Sequence, residues 1–272
     1  MSLSNTINES FRLVAQLQVT DLSKAAWTLT DRFGFKSESG YEDVRNIPED
    51  TRTLRMRRLN QVIELSKTDQ AISQGNSTFD HLSLKTNNVD AAVMAFRAKW
   101  AKLDPMNTPD GAVDLPTFWS QGVRIAFILG PEDARFELCE NLAPKEDPCS
   151  LQFVNLGGHD HFGVRCRDVE EAAQFYAQFG FETAHETEIQ TPDGAIEIRF
   201  VRCGNYLLEI ASTPETRAKS HAFSTHPAWS KIIIETNDPG AKSQEYKGPN
   251  GERVEVRASI PSAAFKFDRE LA

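Results

Sequence analysis

The chain has 272 residues, of which 40% are hydrophobic and 25% are charged, and its formal net charge is −9. This length accommodates two ordinary domains or several small repeats, and the negative charge argues against a nucleic-acid-binding protein. No apolar run approaches the roughly 18–20 residues that a membrane span needs. Residues 1–9 are polar and lack the apolar core of a signal peptide. We therefore expect a cytoplasmic location, without a membrane or nucleic-acid partner.

One sequence pattern recurs along the chain: a short apolar strand, a turn with Asp or Asn, and an amphipathic helix. The first copy reads LVAQLQVTD and continues into LSKAAWTLTDRFGF. The second reads FDHLSLKTNN and continues into VDAAVMAFRAKWAKL. The third reads DHFGVRCRD and continues into VEEAAQFYAQFGFE. Three similar units indicate that the fold is built from repeated modules.

The residues at both ends of these segments are those that begin and end helices. Asp21, Asn88 and Asp168 can each accept hydrogen bonds from the free N–H groups of a first helical turn. Gly34 and Gly180 suit the left-handed conformation in which a helix commonly ends. The apolar residues between them recur at helical spacing, so we expect one amphipathic helix in each copy.

Strand-like stretches follow each predicted helix and close each copy. They read TLRMRRL and NQVIELS in the first copy, RIAFILG and ARFELCE in the second, and IEIRFVR and NYLLEIA in the third. The short links between the members of each pair predict hairpins.

A fourth copy is abbreviated. Residues 231–238 (KIIIETND) resemble a first strand and residues 251–256 (GERVEV) a last strand, with nothing of helical periodicity between them. We expect this copy to have lost its helix and its middle strands. The predicted fold class is α+β, with four βαβββ-type modules, the fourth truncated, that pair into two curved mixed sheets.

The module boundaries follow from these patterns. Residues 1–142 hold modules 1 and 2, a Pro- and Gly-containing connector follows, and residues 159–272 hold modules 3 and 4. The predicted ranges, in chain order, are 10–68, 78–142, 143–158 for the connector, 159–214 and 228–258. The four cysteines form no CxxC pair, so we expect free buried thiols rather than a structural zinc site. They are Cys139, Cys149, Cys166 and Cys203.

The segments DHFGVRCRDVEEAAQFYAQFGFE with NYLLEIA, and FDHLSLKTNNVDAAVMAF with ARFELCE, resemble the vicinal oxygen chelate superfamily. This superfamily includes glyoxalase I, extradiol dioxygenases and bleomycin-resistance proteins. The resemblance implies that two modules pair into a curved eight-stranded sheet that cups a site. It also implies that the first and the last strand of each module each provide one metal ligand. The resemblance is diffuse, so it specifies the fold better than the reaction.

The implied ligand positions can be read off the repeats. The first-strand positions are Val14, His81, His161 and Lys231, and the last-strand positions are Glu64, Glu137, Glu209 and Glu255. Imidazole nitrogen and carboxylate oxygen suit a divalent ion of zinc, nickel, cobalt, iron or manganese, whereas valine cannot bind a metal and a charged lysine has no lone pair. His159 is an alternative ligand or a supporting residue, because strand alternation places it on the face of His161.

Which modules pair determines which ligand positions come together in one site. Pairing in chain order gives two incomplete ligand sets. Pairing module 2 with 3 and module 1 with 4, as in fused single-chain glyoxalase I relatives, combines four metal ligands: His81, Glu137, His161 and Glu209. We favour this pairing, because it also places the truncated module with the positions that have lost their ligands.

The expected function is that of a metal-dependent, glyoxalase-like isomerase or lyase that acts on a small chelating oxygenated substrate. Either Glu137 or Glu209 would be the catalytic base for a carbon-bound proton. Lys85 and Arg165 are candidates for holding an anionic group of the substrate. Residues 182–200 are expected to form a hairpin or lid near the mouth of the site.

Two other functions remain open from the sequence. An extradiol-type dioxygenase needs two histidines and one carboxylate on Fe(II), but such enzymes keep their site in the C-terminal module pair, where Lys231 stands. A bleomycin-resistance-like protein would bind a small molecule in the same cleft without metal. The substrate, the metal and the formation of a homodimer are left undecided by the residues.

Overall fold

The computed structural model describes residues 11–73, 77–143, 156–218 and 220–260. Cys149, residues 1–10 and most of the connector predicted at 143–158 lie outside the described residues. Within these described ranges, no helix is both long and apolar enough to cross a membrane.

The first half of the chain holds two strand–helix–strand units. The first contains β1 (Phe11–Val19), α1 (Leu22–Phe33), β2 (Lys36–Ser37), β3 (Thr53–Arg58) and β4 (Gln61–Lys67). The second contains β5 (Phe79–Thr86), α2 (Val89–Ala98), β6 (Lys102–Leu103), β7 (Val113–Leu115), β8 (Val123–Leu129) and β9 (Arg135–Asn141).

The second half repeats the pattern once in full. The third unit contains β10 (Leu156–Cys166), α3 (Val169–Ala177), β11 (Glu182–Thr191), β12 (Gly194–Cys203) and β13 (Tyr206–Ser212), followed by the short helix α4 (Pro214–Arg217). The fourth contains β14 (Trp229–Thr236), β15 (Gln244–Lys247) and β16 (Arg253–Ala258). The helix is missing there, as predicted, but the expected loss of all middle strands is wrong. One middle strand, β15, is present and pairs antiparallel with β16.

The helices begin where the capping residues predict. The side chains of Asp21, Asn88 and Asp168 each accept a hydrogen bond, 2.9 Å long, from a backbone N–H of the first turn. Gly34 ends α1 in the left-handed conformation with a φ of 69°. The local signals in the sequence therefore set these boundaries.

Two open mixed sheets combine the units in the order favoured from the sequence. One has the order β15-β16-β14-β1-β4-β3-β2, which joins units 1 and 4 through the β1–β14 pair. The other has the order β11-β12-β13-β10-β5-β9-β8-β6, with β7 on β8, and it joins units 2 and 3 through the β5–β10 pair. The predicted pairing of 2 with 3 and 1 with 4 is confirmed.

The main hydrophobic core joins the two sheets. Trp229 on β14 packs against Phe136 of the other sheet, with ring centroids 5.2 Å apart, and against Phe162 at 6.1 Å. Its indole N–H donates to the backbone carbonyl of Arg135 at 3.1 Å. The opposite face of the nine-stranded sheet carries a second, separate apolar cluster. That face holds the predicted site residues.

Candidate metal centre

Strand register brings the predicted histidines and glutamates to one face of the nine-stranded sheet. In the parallel pair β5–β9, Ser83 lies opposite Glu137, and His81 is two residues earlier. In the parallel pair β10–β13, Gly163 lies opposite Glu209, and His161 is again two residues earlier. Residues two apart on a strand share a face, so each unit contributes one imidazole and one carboxylate to the same side.

Two irregularities in the β5–β10 pair position an aspartate beside each histidine. His81 lies opposite Gly163 but Phe79 lies opposite Val164, so β5 carries Asp80 as an extra residue. Between the pairs His159↔Leu84 and Phe162↔Leu82, β10 likewise carries one residue more than β5. Bulges of this kind redirect side chains, and Asp80 and Asp160 thereby face the histidines that follow them.

Each aspartate carboxylate lies within hydrogen-bonding distance of the Nδ1 atom of the histidine that follows it in the chain. The distance is 3.1 Å between His81 Nδ1 and Asp80 Oδ2, and 2.8 Å between His161 Nδ1 and Asp160 Oδ1. A carboxylate accepts hydrogen bonds only, so both Nδ1 atoms carry a proton, and each Nε2 atom presents a lone pair when its ring is neutral. These two aspartates were not predicted from the sequence, although the repeated Asp-His dipeptide was the signal for them.

The four predicted ligands converge at the Nε2 atoms. The Nε2 atoms of His81 and His161 are 3.0 Å apart. Glu137 approaches them at 3.7 and 3.5 Å, and Glu209 Oε2 lies 3.4 Å from His161 Nε2. All four side chains are largely buried, Glu209 the least so at 14% exposure. One ligand atom from each of His81, His161 and Glu209 lies within 4.8 Å of the others.

The electrostatics of this group favour a positive charge at its centre. Burial opposes a charged imidazole, but the carboxylates of Glu137, Asp160 and Glu209 outweigh it and raise the pKa of His161 to about 9. Burial raises the pKa of Glu137 above its ordinary value, although both imidazoles oppose it. Asp80 keeps a depressed pKa despite its burial, because Arg165, His81 and Arg135 stabilise its charge.

The donor set fits a divalent cation. In the neutral rings the two Nε2 lone pairs face each other at 3.0 Å and repel, and either a proton on one nitrogen or a metal cation between them removes this repulsion. Two metal–nitrogen bonds of roughly 2.0–2.1 Å that meet near a right angle place their nitrogens about 3.0 Å apart. Two imidazoles and two carboxylates are also the mixed nitrogen and oxygen set that zinc, nickel, cobalt, iron and manganese accept.

A cavity of about 190 Å³ opens beside this group, and His81, His161, Glu137 and Glu209 line it. Its other walls are mostly apolar and come from the two equivalent strands β8 and β12. Alternate residues on these strands face it: Val123, Ile125, Phe127, Ile196, Ile198 and Phe200. The predicted hairpin at 182–200 is present as β11 and β12, and its Ile189 is also a wall residue.

The two residues predicted to hold an anionic group of the substrate, Lys85 and Arg165, differ in their position relative to the cavity. Arg165 lines the cavity, where its Nε donates to Asp80 at 3.0 Å. Lys85 is exposed and is not a lining residue. The role predicted for this pair as anion-binding residues is not tested by these positions and stays a prediction.

The expectation that His159 shares the face of His161 is wrong. The bulge between His159 and Phe162 turns His159 to the other side of the strand, opposite Leu84 of the main core. There its Nδ1 lies 2.7 Å from Gln61 Oε1, and burial lowers its pKa to about 3. His159 is therefore a buried neutral side chain in the core.

The equivalent positions of the seven-stranded sheet hold internal ion pairs. Gln16 lies opposite Glu64 and Ile233 opposite Glu255, so Val14 and Lys231 occupy the positions of the two histidines. Val14 packs in an apolar cluster with Val62 and Ile233. Lys231 Nζ donates to Glu255, and Arg257 donates to Glu64. Cationic side chains thus neutralise both carboxylates where the other sheet places its histidines.

Comparisons with known proteins agree with this architecture. Residues 158–256 match the sequence model of the Glyoxalase/Bleomycin resistance protein/Dioxygenase superfamily. Glyoxalase I from Zea mays superposes with a TM-score of 0.63 at 17% identity, covering 92% of both chains. The chain has the vicinal-oxygen-chelate fold. A putative dioxygenase from Bacillus subtilis shares this vicinal-oxygen-chelate fold with a TM-score of 0.59 at 11% identity, over 92% of this chain and 85% of that one. No curated protein sequence matches the chain.

Within the vicinal-oxygen-chelate fold, the cavity lies on the sheet of units 2 and 3. Structural similarity at 17% and 11% sequence identity shows the fold alone. The chemistry of the site depends on the side chains of this chain. Phe118 and Trp119, which were not predicted from the sequence, also line the cavity, from the segment between β7 and β8. No periodic pattern there distinguished them from ordinary loop residues.

Proposed function

We propose that the protein is a metal-dependent isomerase or lyase of the glyoxalase type, which acts on a small substrate with two adjacent oxygen atoms. The observation that carries this proposal is the approach of the two Nε2 atoms to 3.0 Å, with both Nδ1 atoms bound to aspartates. The residues that would hold the ion are His81, His161, Glu137 and Glu209.

The chain supplies a rigid arrangement for such an ion. Asp80 and Asp160 fix the tautomer and the orientation of the two rings, as partners of metal-bound histidines commonly do. Ser83 Oγ donates to Glu137 Oε1 at 2.9 Å and fixes that carboxylate as well. A bound divalent cation would act as a Lewis acid toward the two substrate oxygens and stabilise a negative charge on them.

The two glutamates differ in a way that suggests separate roles. Glu137 is 3% exposed and is held by Ser83. Glu209 also lines the cavity, but its side chain is more exposed, at 14%, and its carboxylate lies 3.4 Å from His161 Nε2. We therefore assign Glu209 as the base that removes a carbon-bound proton from the substrate, and Glu137 as the anchored ligand.

The test of this proposal is metal analysis of the purified protein. Wild type is expected to hold one divalent ion per chain, and His81→Ala and His161→Ala are each expected to abolish binding of that same ion. His226→Ala is the matched control, because His226 is exposed and does not line the cavity. If only one of the two site variants loses the ion, the shared centre does not exist.

A further inference from the structure

The walls of the cavity differ in character from its floor. The floor carries the imidazoles and carboxylates, whereas the walls are formed by the second apolar cluster of the molecule. β8 and β12 contribute equivalent sets of three residues, so the apolar surface approaches the centre from both units. Aliphatic and aromatic side chains on two opposing sides favour a flat apolar group between them.

Three aromatic rings that line the cavity, those of Phe118, Trp119 and Phe200, pack together. Trp119 stacks on His185 with ring centroids 4.7 Å apart and an interplanar angle of 20°, and it lies 4.8 Å from Phe200. Phe118 packs edge-on against Phe200 at 6.0 Å. Trp119 has a φ of 51°, a left-handed conformation that is uncommon for a residue other than glycine. Trp119 thus lines the cavity from a strained backbone conformation.

The charges of the cavity disfavour an anionic group on the substrate. Four carboxylates line it: Asp80, Glu137, Asp160 and Glu209. Arg165 is the one lysine or arginine among its described lining residues, and this side chain is paired with Asp80. Because this arginine is already paired, the described lining residues offer no unpaired cationic side chain to a negatively charged tail.

The size of the cavity limits the body of the substrate. Its volume of about 190 Å³ is comparable with the roughly 150 Å³ of an engineered apolar cavity that binds benzene. A single ring fits, whereas a long peptide-like group would have to remain outside.

We infer that the substrate carries an uncharged aromatic ring directly beside its two chelating oxygens, and that Trp119 selects this ring. The inference rests on the proposed metal centre and names the substrate class for it. The ring lies between the walls of β8 and β12 and beneath the indole of Trp119, and the oxygens face the two histidines.

Three hydroxamates test this inference, because each chelates a metal through two adjacent oxygens and they differ only in the attached group. Dissociation constants are measured by titration calorimetry on the protein loaded with Ni²⁺ or Zn²⁺. Benzohydroxamate is expected to bind at least tenfold more tightly than acetohydroxamate, whereas succinohydroxamate, with its anionic tail, binds no more tightly than acetohydroxamate.

Variants of Trp119 connect the preference to the residue. Trp119→Ala is expected to reduce the preference for benzohydroxamate to below threefold with acetohydroxamate affinity unchanged, and Trp119→Phe to retain it. Trp100→Ala is the matched control, because Trp100 is 86% exposed and does not line the cavity.

The outcomes separate the two proposals. Equal affinity for the three hydroxamates, or tighter binding of succinohydroxamate, overturns the aromatic substrate class and leaves the metal centre standing. If the folded, metal-treated protein binds none of the three, the metal centre itself is refuted and the inference falls with it.

Discussion

Gly163 lies directly opposite His81 in the antiparallel pair of β5 and β10. A methyl group on Gly163 would lie 2.7 Å from His81 Nε2 and closer still to Nδ1 and Cε1. No other amino acid fits this position without displacing the imidazole, because a side chain begins with the atom that would collide.

The first prediction follows from this contact. Gly163→Ala is expected to displace the His81 ring and to weaken metal affinity at least tenfold, although it removes no ligand. Chelator competition measures the affinity, and circular dichroism checks that the fold persists. Gly240→Ala is the control, since Gly240 lies in an exposed turn, where an added methyl group would meet only the movable side chain of Asp238, at 3.2 Å. Unchanged affinity in Gly163→Ala would show that His81 does not hold the ion.

The second prediction concerns the aspartate behind His161. Asp160→Asn is expected to weaken metal affinity by about 10- to 100-fold, which is typical for the loss of a hydrogen-bond partner of a metal ligand. The substitution removes the charge that holds the Nδ1 proton of His161. Asp193→Asn, in the turn between β11 and β12, removes an acid elsewhere as the control. Equal affinity in the two variants would contradict the positioning role of Asp160.

The third prediction separates the two glutamates. Metal-loaded wild type is expected to exchange the carbon-bound protons of 2-hydroxyacetophenone with solvent deuterium, as followed by NMR. Glu209→Gln is expected to abolish the exchange because it removes the base, while His81, His161 and Glu137 retain the ion. Glu137→Gln is expected to lose the ion. Glu182→Gln, on an exposed position of β11, is the control. Exchange at the wild-type rate in Glu209→Gln would refute its assignment.

The fourth prediction tests the ion pairs of the other sheet. Lys231 keeps the pKa of Glu255 below its ordinary value against the opposing effect of burial, with help from Ser243 and Arg257. Stability from this carboxylate is therefore present above its ordinary pKa and is lost as the pH falls through its lowered value. Lys231→Met leaves a buried, less compensated charge, so we expect a loss of about 3 kcal/mol in unfolding free energy at pH 7.

The pH dependence of this loss of stability distinguishes a loss of charge compensation from a loss of packing. In Lys231→Met, burial favours the protonated form of Glu255. The difference in unfolding free energy between this variant and wild type is therefore expected to shrink as the pH falls from about 5 toward 4. Urea unfolding at pH 7, 5 and 4 measures the difference, and the metal content is expected to remain that of wild type. A deficit that is constant with pH would show that loss of packing, rather than of charge, causes it.

Much of the fold could be predicted because its signals are local. The aspartates and the asparagine before the helices cap them through contacts three residues away, and Gly34 ends α1 through its own backbone. The histidines and glutamates could be aligned across modules because strand alternation is regular. The position of His159 could not be predicted, because a bulge shifts the alternation between it and His161.

The sequence by itself determined the repeats, the helix boundaries and the four candidate ligands of the proposed metal centre. Each of these depends on the chemistry of a residue and on regular spacing along the chain. Only the tertiary structure decided where Asp80 and Asp160 point and that Trp119 lines the cavity. Those features depend on register shifts and on contacts between distant segments, and the free energy of such contacts leaves no periodic pattern in the sequence.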